Sequence, residues 1–182
     1  MKKINKKTVI KLNELSEYTK LDIIVDKILL AIKRRSIIYT CGNGGSAALA
    51  QHLTSELMCR YKLDRMPISS ICLSSDVTLL TSISNDYGFE NIFSRQINAL
   101  CRPNDILICF TTSGKSENII NAICMSSTIP IESILFCGVN CSTIVADIEI
   151  IYPDVSIDTV QENHLRAIHY IVDKLEKAIV KT

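Results

Sequence analysis

Two histidines, a carboxylate and an amide stand at spacings that could carry chemistry. His52 and Glu56 are four residues apart, so a helix presents both on one face. Gln161 and His169 are eight residues apart. That is two helical turns plus roughly 80°, close enough to share a broad face. Together the four offer two imidazoles, one carboxylate and one amide oxygen. Such a donor set suits zinc or another divalent ion. It equally suits the acid and base of a proton transfer. Spacing does not choose between these readings. A histidine on an amphipathic helix is also an ordinary surface or core residue, and His164 fits that plainer description.

Two turns could hold an anion. Gly42-Asn43-Gly44-Gly45-Ser46 follows a short β-branched and aromatic run, Ser36–Cys41, and precedes a helical pattern. Glycines let backbone approach a ligand, and a helix N-terminus presents free N–H groups to negative charge. No Gly-Lys-Ser/Thr follows, so this is not a Walker loop, and the spacing is not that of the dinucleotide fingerprint. The turn reads as a ligand cradle or simply as a tight strand-to-helix connection. In Thr111-Thr112-Ser113-Gly114-Lys115-Ser116, four hydroxyls gather ahead of another helix. Capping by Ser113 or Ser116 uses one hydroxyl. Four favour a phosphate.

Elements that position these groups follow from periodicity. Helical spacing predicts helices over 5–17, 21–34, 46–60, 76–84, 89–100, 116–127 and 158–180, the last capped by Asp158 or Thr159. Strands are expected at 36–41, 69–73, 105–110, 132–137 and 147–152. Alternating strands and helices predict an α/β fold with a mostly parallel sheet covered on both faces. Ligands of such sheets bind beyond the carboxyl ends of the strands, where both turns fall. The length of 182 residues suits one domain. Helices around 5–34 carry a wide apolar stripe through Leu12, Leu15, Ile23, Ile24, Ile28, Leu29 and Ile32. The stripe covers the chain's own sheet alone or a second subunit as well.

Composition narrows the function class. With 20 basic and 19 acidic residues, the chain has no electrostatic footprint for nucleic acid or an anionic membrane. No stretch has the length of a membrane span. The chain starts Met-Lys-Lys-Ile-Asn-Lys-Lys without the apolar run of a secretion signal. Its eight cysteines include no C-x-x-C pair, and several lie inside apolar runs. All eight are expected as reduced thiols in a cytoplasmic protein.

Taken in combination, the motifs resemble the sedoheptulose 7-phosphate isomerases of the sugar isomerase (SIS) domain superfamily. The likeness starts with Gly42–Ala48, Gln51-His52 and Glu56. It continues through Arg60-Tyr61, Asp64-Arg65, Asn85-Asp86-Tyr87-Gly88 and Phe93-Ser94-Arg95-Gln96. Thr112-Ser113-Gly114 with Ser116 resembles the family's phosphate turn, and Gln161-Glu162, His164 and His169 its last helix. The likeness spans about residues 36–175. It implies a three-layer α/β/α sandwich around a five-stranded sheet, flavodoxin-like in type. The whole chain, 1–182, would then be one SIS domain, with residues 1–35 as oligomerisation helices of a homotetramer. The resemblance implies one zinc per subunit at His52, Glu56, Gln161 and His169. It implies substrate binding by Asn43, Gly44, Gly45, Ser46, Glu56, Asn85, Asp86, Thr111, Thr112, Ser113, Ser116 and Gln161. Glu56 and His169 match the pair that does acid–base work.

The implied reaction is isomerisation of sedoheptulose 7-phosphate to D-glycero-D-manno-heptose 7-phosphate through an enediol, feeding lipopolysaccharide or capsule. Other expected partners are limited to further copies of the chain. Non-catalytic alternatives are a sugar-phosphate sensor and a replication-initiator-binding relative, which lacks the acid and histidine pair. This chain departs from the family pattern at Thr111, at Lys115, at Thr159 and in a short loop, Gly138-Val139-Asn140-Cys141.

Overall fold

The computed structural model describes residues 15–138, 145–153 and 156–181. The expected helix over 5–17, Leu12, Cys141 and most of the short loop at 138–141 lie outside the described residues.

Five strands form one parallel sheet: β1 (Ile38–Gly42), β2 (Ser70–Cys72), β3 (Ile106–Thr111), β4 (Glu132–Cys137) and β5 (Ile148–Ile151). Their order is β2-β1-β3-β4-β5. β1 and β3 are buried throughout, which is why they read as continuous apolar runs rather than alternating ones. Alternation survives in which core each residue enters. Ile106, Ile108 and Phe110 face one apolar cluster, and Leu107 and Cys109 face the other.

Helices cover both faces. α1 (Glu17–Arg34), α2 (Gly45–Met58) and α6 (Ile157–Val180) contribute to the first cluster. α3 (Val77–Tyr87), α4 (Ser94–Leu100) and α5 (Glu117–Ser126) contribute to the second. This is the three-layer sandwich. Its switch point lies between β1 and β3, because the chain winds outward from β1 in opposite directions. Both candidate turns sit there.

Local differences from the sequence reading have identifiable causes. The stretch 89–100 is not one helix but a 3-10 turn, Phe89–Asn91, followed by α4. The Asn91 amide donates to the Tyr87 carbonyl at 2.7 Å, and the Ser94 hydroxyl to the Asn91 carbonyl at 3.3 Å. Such side-chain bonds compete with the helix ladder. The cap of α6 is Ser156 rather than Asp158 or Thr159, which fall inside the first turn. There Asp158 still meets the positive end of the helix dipole.

α1 spends much of the wide stripe on its own subunit. Ile24 and Ile28 are fully buried, and Ile23, Leu29 and Ile32 pack partly against the same core. Leu15 and Leu30 remain exposed. Cys41, Cys59, Cys72, Cys101, Cys109 and Cys124 are free thiols, but Cys137 is disulfide-bonded. The expectation of eight reduced thiols is corrected there. Cys137 is the last residue of β4 rather than a mid-strand residue.

Candidate active site

The first turn leaves β1 at Gly42 and enters α2 at Gly45. Gly44 caps the helix with φ 54° and ψ −123°, a left-handed conformation that favours glycine. A Cβ at Gly44 would meet open space, so its backbone faces an accessible side. A Cβ at Gly45 would collide with the Gln161 amide, 2.6 Å from its nitrogen. Gln161 therefore lies directly against the start of α2. Ser46 is buried in the first turn of that helix.

The second turn leaves β3 at Thr111 and enters α5 at Glu117. Ser116 holds the N-cap position, yet its side chain makes no capping bond, so the hydroxyl is not consumed by the helix. Thr111 Oγ1 accepts from the Gly114 N–H at 3.3 Å, and Ser113 Oγ from the Lys115 N–H at 3.2 Å. Both hydroxyls keep their own protons to donate. Thr112 and Ser116 are half-buried and Ser113 is exposed.

Asn118, one residue inside α5, ties the two turns together. Its amide donates to Asn43 Oδ1 and accepts from Asn43 Nδ2, both at 2.8 Å. A reciprocal amide pair satisfies one donor and one acceptor on each side, and Asn118 is only 2% exposed. Spacing did not single out Asn118. Its signal was a polar residue on the core side of an otherwise apolar helix.

By helix rise from Gly45, His52 stands about 10 Å and Glu56 about 17 Å further along α2. His52 Nε2 is 3.2 Å from His169 Nε2 on α6 and 3.6 Å from Glu56 Oε1. Glu56 Oε2 is buried without a hydrogen-bond partner. Burial pushes the His169 imidazole below the usual histidine range; His52 and Lys62 add to this and Glu56 opposes it. His169 is thus neutral near pH 7, able to accept or relay a proton.

As the side chains stand, no group of three or more His, Cys, Asp or Glu among the described residues encloses a metal-sized site. The donors nevertheless fit a divalent ion. Two imidazole nitrogens already face each other, and an orphaned carboxylate oxygen lies beside them. Gln161 does not join this trio. It lies against Gly45, eight residues before His169, roughly 12 Å back along α6.

Asn85 and Asp86 lie near the C-terminal end of α3 rather than in either turn. Among the described residues no hydrogen bond joins them to either; the Asn85 amide donates to Asp86 Oδ1 at 2.8 Å. Asp86 lines a separate cavity of 290 Å³ with Tyr87 and Arg95.

Comparison with known proteins follows the same lines. Residues 6–138 match the family model of the SIS domain. The phosphoheptose isomerase of Geotalea daltonii is 41% identical over 162 residues, 88% of this chain and 84% of that protein. The structure of a phosphoheptose isomerase from Francisella tularensis superposes with a TM-score of 0.84 at 30% identity, covering 94% of this chain and 92% of that one. That from Neisseria gonorrhoeae gives 0.80 at 29% identity, covering 94% and 91%.

Proposed function

The chain belongs to the phosphoheptose isomerases of the SIS-domain family, and from that premise we infer that it converts sedoheptulose 7-phosphate to D-glycero-D-manno-heptose 7-phosphate. The observation that carries this reading is the meeting of Glu56, His52 and His169, with His52 roughly two helical turns along α2 from the glycine turn. A seven-carbon chain bridges that distance with its phosphate at one end and its carbonyl at the other.

The phosphate is held at Thr111, Thr112, Ser113 and Ser116, with N–H groups of the α5 start and the Lys115 cation nearby. Asn43, Gly44, Gly45, Ser46 and Gln161 line the path of the sugar hydroxyls. Those remote contacts supply binding energy that orients the reacting end. Glu56 takes the C1 proton of the open-chain ketose and returns it at C2. The electron pair left at C1 forms the C1–C2 double bond of the enediol as the C2 carbonyl oxygen gains a proton from the imidazole side. Loss of the C1 hydroxyl proton then completes the aldehyde. His169, neutral and next to His52, is placed to move those hydroxyl protons. Asn85 and Asp86, which make no hydrogen bond to either turn among the described residues, fit a site completed by a second copy.

Zinc is the implied metal; His52, Glu56 and His169 would hold it, and Gln161, which lies against Gly45, is the fourth ligand that the family resemblance implies. When bound it would supply Lewis-acid stabilisation of the developing oxyanion. A homotetramer built on residues 1–35 fits the exposed Tyr18 and Leu30 of α1 and Leu15 just ahead of it. A cytoplasmic location and a product destined for lipopolysaccharide or capsule complete the reading. Among the described residues no helix is long and apolar enough to cross a membrane.

The test is Glu56→Gln, nearly isosteric but without a basic oxygen pair. Turnover should fall by at least ~10²-fold with the fold intact. Turnover near that of the wild type removes Glu56 from the mechanism.

A further inference from the structure

On α6, His169, Asp173 and Glu176 follow one another at spacings of four and three and share one face. That face meets the connection from α2 to β2 at three levels. The Tyr61 ring stacks on the His169 imidazole, centroids 5.3 Å apart and planes 16° apart. Lys62 Nζ lies 3.5 Å from Asp173 Oδ1. The Glu176 carboxylate accepts the backbone N–H groups of Tyr61, Lys62 and Leu63 at 2.6, 2.8 and 2.9 Å.

These levels are unequal. Lys62 and Asp173 have side chains 60% and 26% exposed, a screened pair of little consequence. Glu176 is 1% exposed, and Arg65 Nε lies 3.8 Å away with its side chain equally buried. Burial opposes the charge on Glu176, but the donors of Leu63, Lys62 and Tyr61 and the Arg65 cation outweigh it and hold the carboxyl below its usual range. Arg65 also donates to the carbonyls of Glu56 and Leu57 at the end of α2. One buried knot therefore joins the helix carrying His52 and Glu56 to the helix carrying His169, with Tyr61 between. An apolar contact would join them with equal or better stability, so stability alone does not account for the knot. It does account for a fixed geometry.

We propose that Glu176 is a positioning residue for the isomerase site: it clamps the backbone of 61–63, holds Tyr61 flat on His169, and so fixes that imidazole opposite His52 and Glu56. The proposal rests on the isomerase reading. Tyr61 acts through its ring face, not its hydroxyl. The phosphate turn makes no hydrogen bond to Tyr61 or Glu176 among the described residues.

The experiment compares the full-length wild type with Glu176→Gln, Tyr61→Leu, Tyr61→Phe and the double variant Glu176→Gln/Tyr61→Leu. Turnover of sedoheptulose 7-phosphate is measured per folded subunit, and the His169 ring proton resonances are recorded. Glu176→Gln and Tyr61→Leu should each lower kcat ~10- to 100-fold, the scale of a misplaced catalytic group. KM should stay within about 3-fold, since uniform substrate binding is not removed. Tyr61→Phe should match the wild type. The double variant should be no slower than Tyr61→Leu, because both changes break one linkage. The His169 ring protons should lose the Tyr61 ring-current shift in Glu176→Gln and Tyr61→Leu but keep it in Tyr61→Phe.

A folded Glu176→Gln with wild-type kcat overturns the proposal. So do losses confined to KM, multiplicative losses in the double variant, or Tyr61→Phe as slow as Tyr61→Leu. If Glu176→Gln does not fold, the two Tyr61 variants decide alone, and equal kcat values overturn it. A wild type without turnover removes the isomerase reading; His169 resonances unmoved by Tyr61→Leu then remove the positioning claim separately.

Discussion

Five residues of one helix separate two histidines in opposite settings. His164 is fully buried among the rings of Phe110, Phe136 and Tyr152, at centroid distances of 5.7, 5.9 and 5.5 Å. Its nitrogens make no hydrogen bond of ordinary geometry. Burial pushes its pKa down to about 4, against an opposing pull from the Cys137 carbonyl. His169 is half-buried, faces His52 and is stacked by Tyr61. Five residues turn a helix by roughly 140° beyond one full turn. One imidazole therefore enters the sheet while the other looks toward α2. Residue type is shared; the face decides which histidine can touch a substrate.

The contrast breaks most directly by substitution. His169→Asn should lower turnover ~10²- to 10⁴-fold, the range for a lost acid–base group. His164→Leu should leave turnover close to that of the wild type. Equal losses in both, measured on folded protein, would mean that the core histidine also serves the reaction.

The phosphate turn gives the next largest effect. Ser113→Ala and Ser116→Ala each remove one hydrogen bond to a charged acceptor, about 1.5–3 kcal/mol. Substrate affinity should drop accordingly while thermal stability hardly moves, because Ser116 does not cap α5. Unchanged affinity in both variants would place the anion elsewhere.

Acid stability sharpens the comparison further. The folded pKa of His164 lies below the unfolded value, so between pH 6.5 and about 4 the unfolded chain takes up a proton that the folded chain refuses. Stability is complete above pH 6.5 and falls through that window, by about 3 kcal/mol in all. His164→Leu should flatten the curve of Tm against pH there. An unaltered slope would show that other groups carry it.

Glu176 contributes in the same direction, at lower pH. Its folded pKa is held down, so its stabilisation is present above the ordinary carboxylate range and is lost as pH falls through the depressed value. The Tm gap between wild type and Glu176→Gln should persist at pH 6–7 and narrow in acid, below roughly pH 4. A gap that does not change with pH would mean that the carboxylate charge is not what holds the clamp.

Much of this was legible in the sequence. All five strands fall within two residues of their expected limits, because buried parallel strands stand out as short apolar runs between polar turns. The two turns at the switch point and the pairing of His52 with Glu56 followed from spacing. Distances between helices did not. Helical periodicity shows which residues share a face of α2 or of α6, but not how far along one helix the other meets it. That is why Gln161 sits against Gly45 while His169 meets His52. The Asn43–Asn118 pair and the clamp at Glu176 escaped for the same reason, since each joins segments more than seventy residues apart. The spacing of Glu176 from His169 was visible; its partners were not.

The central claim is a proton transfer within a bound ketose phosphate. The most direct test follows purified protein with sedoheptulose 7-phosphate in deuterated water by NMR. The account predicts an aldose phosphate whose C2 hydrogen is the one Glu56 took from C1, with solvent deuterium at C2 only in the fraction of turnovers in which the Glu56 carboxyl exchanges before returning it. A ligand that binds tightly but emerges unconverted would make the protein a sensor, and would contradict the account.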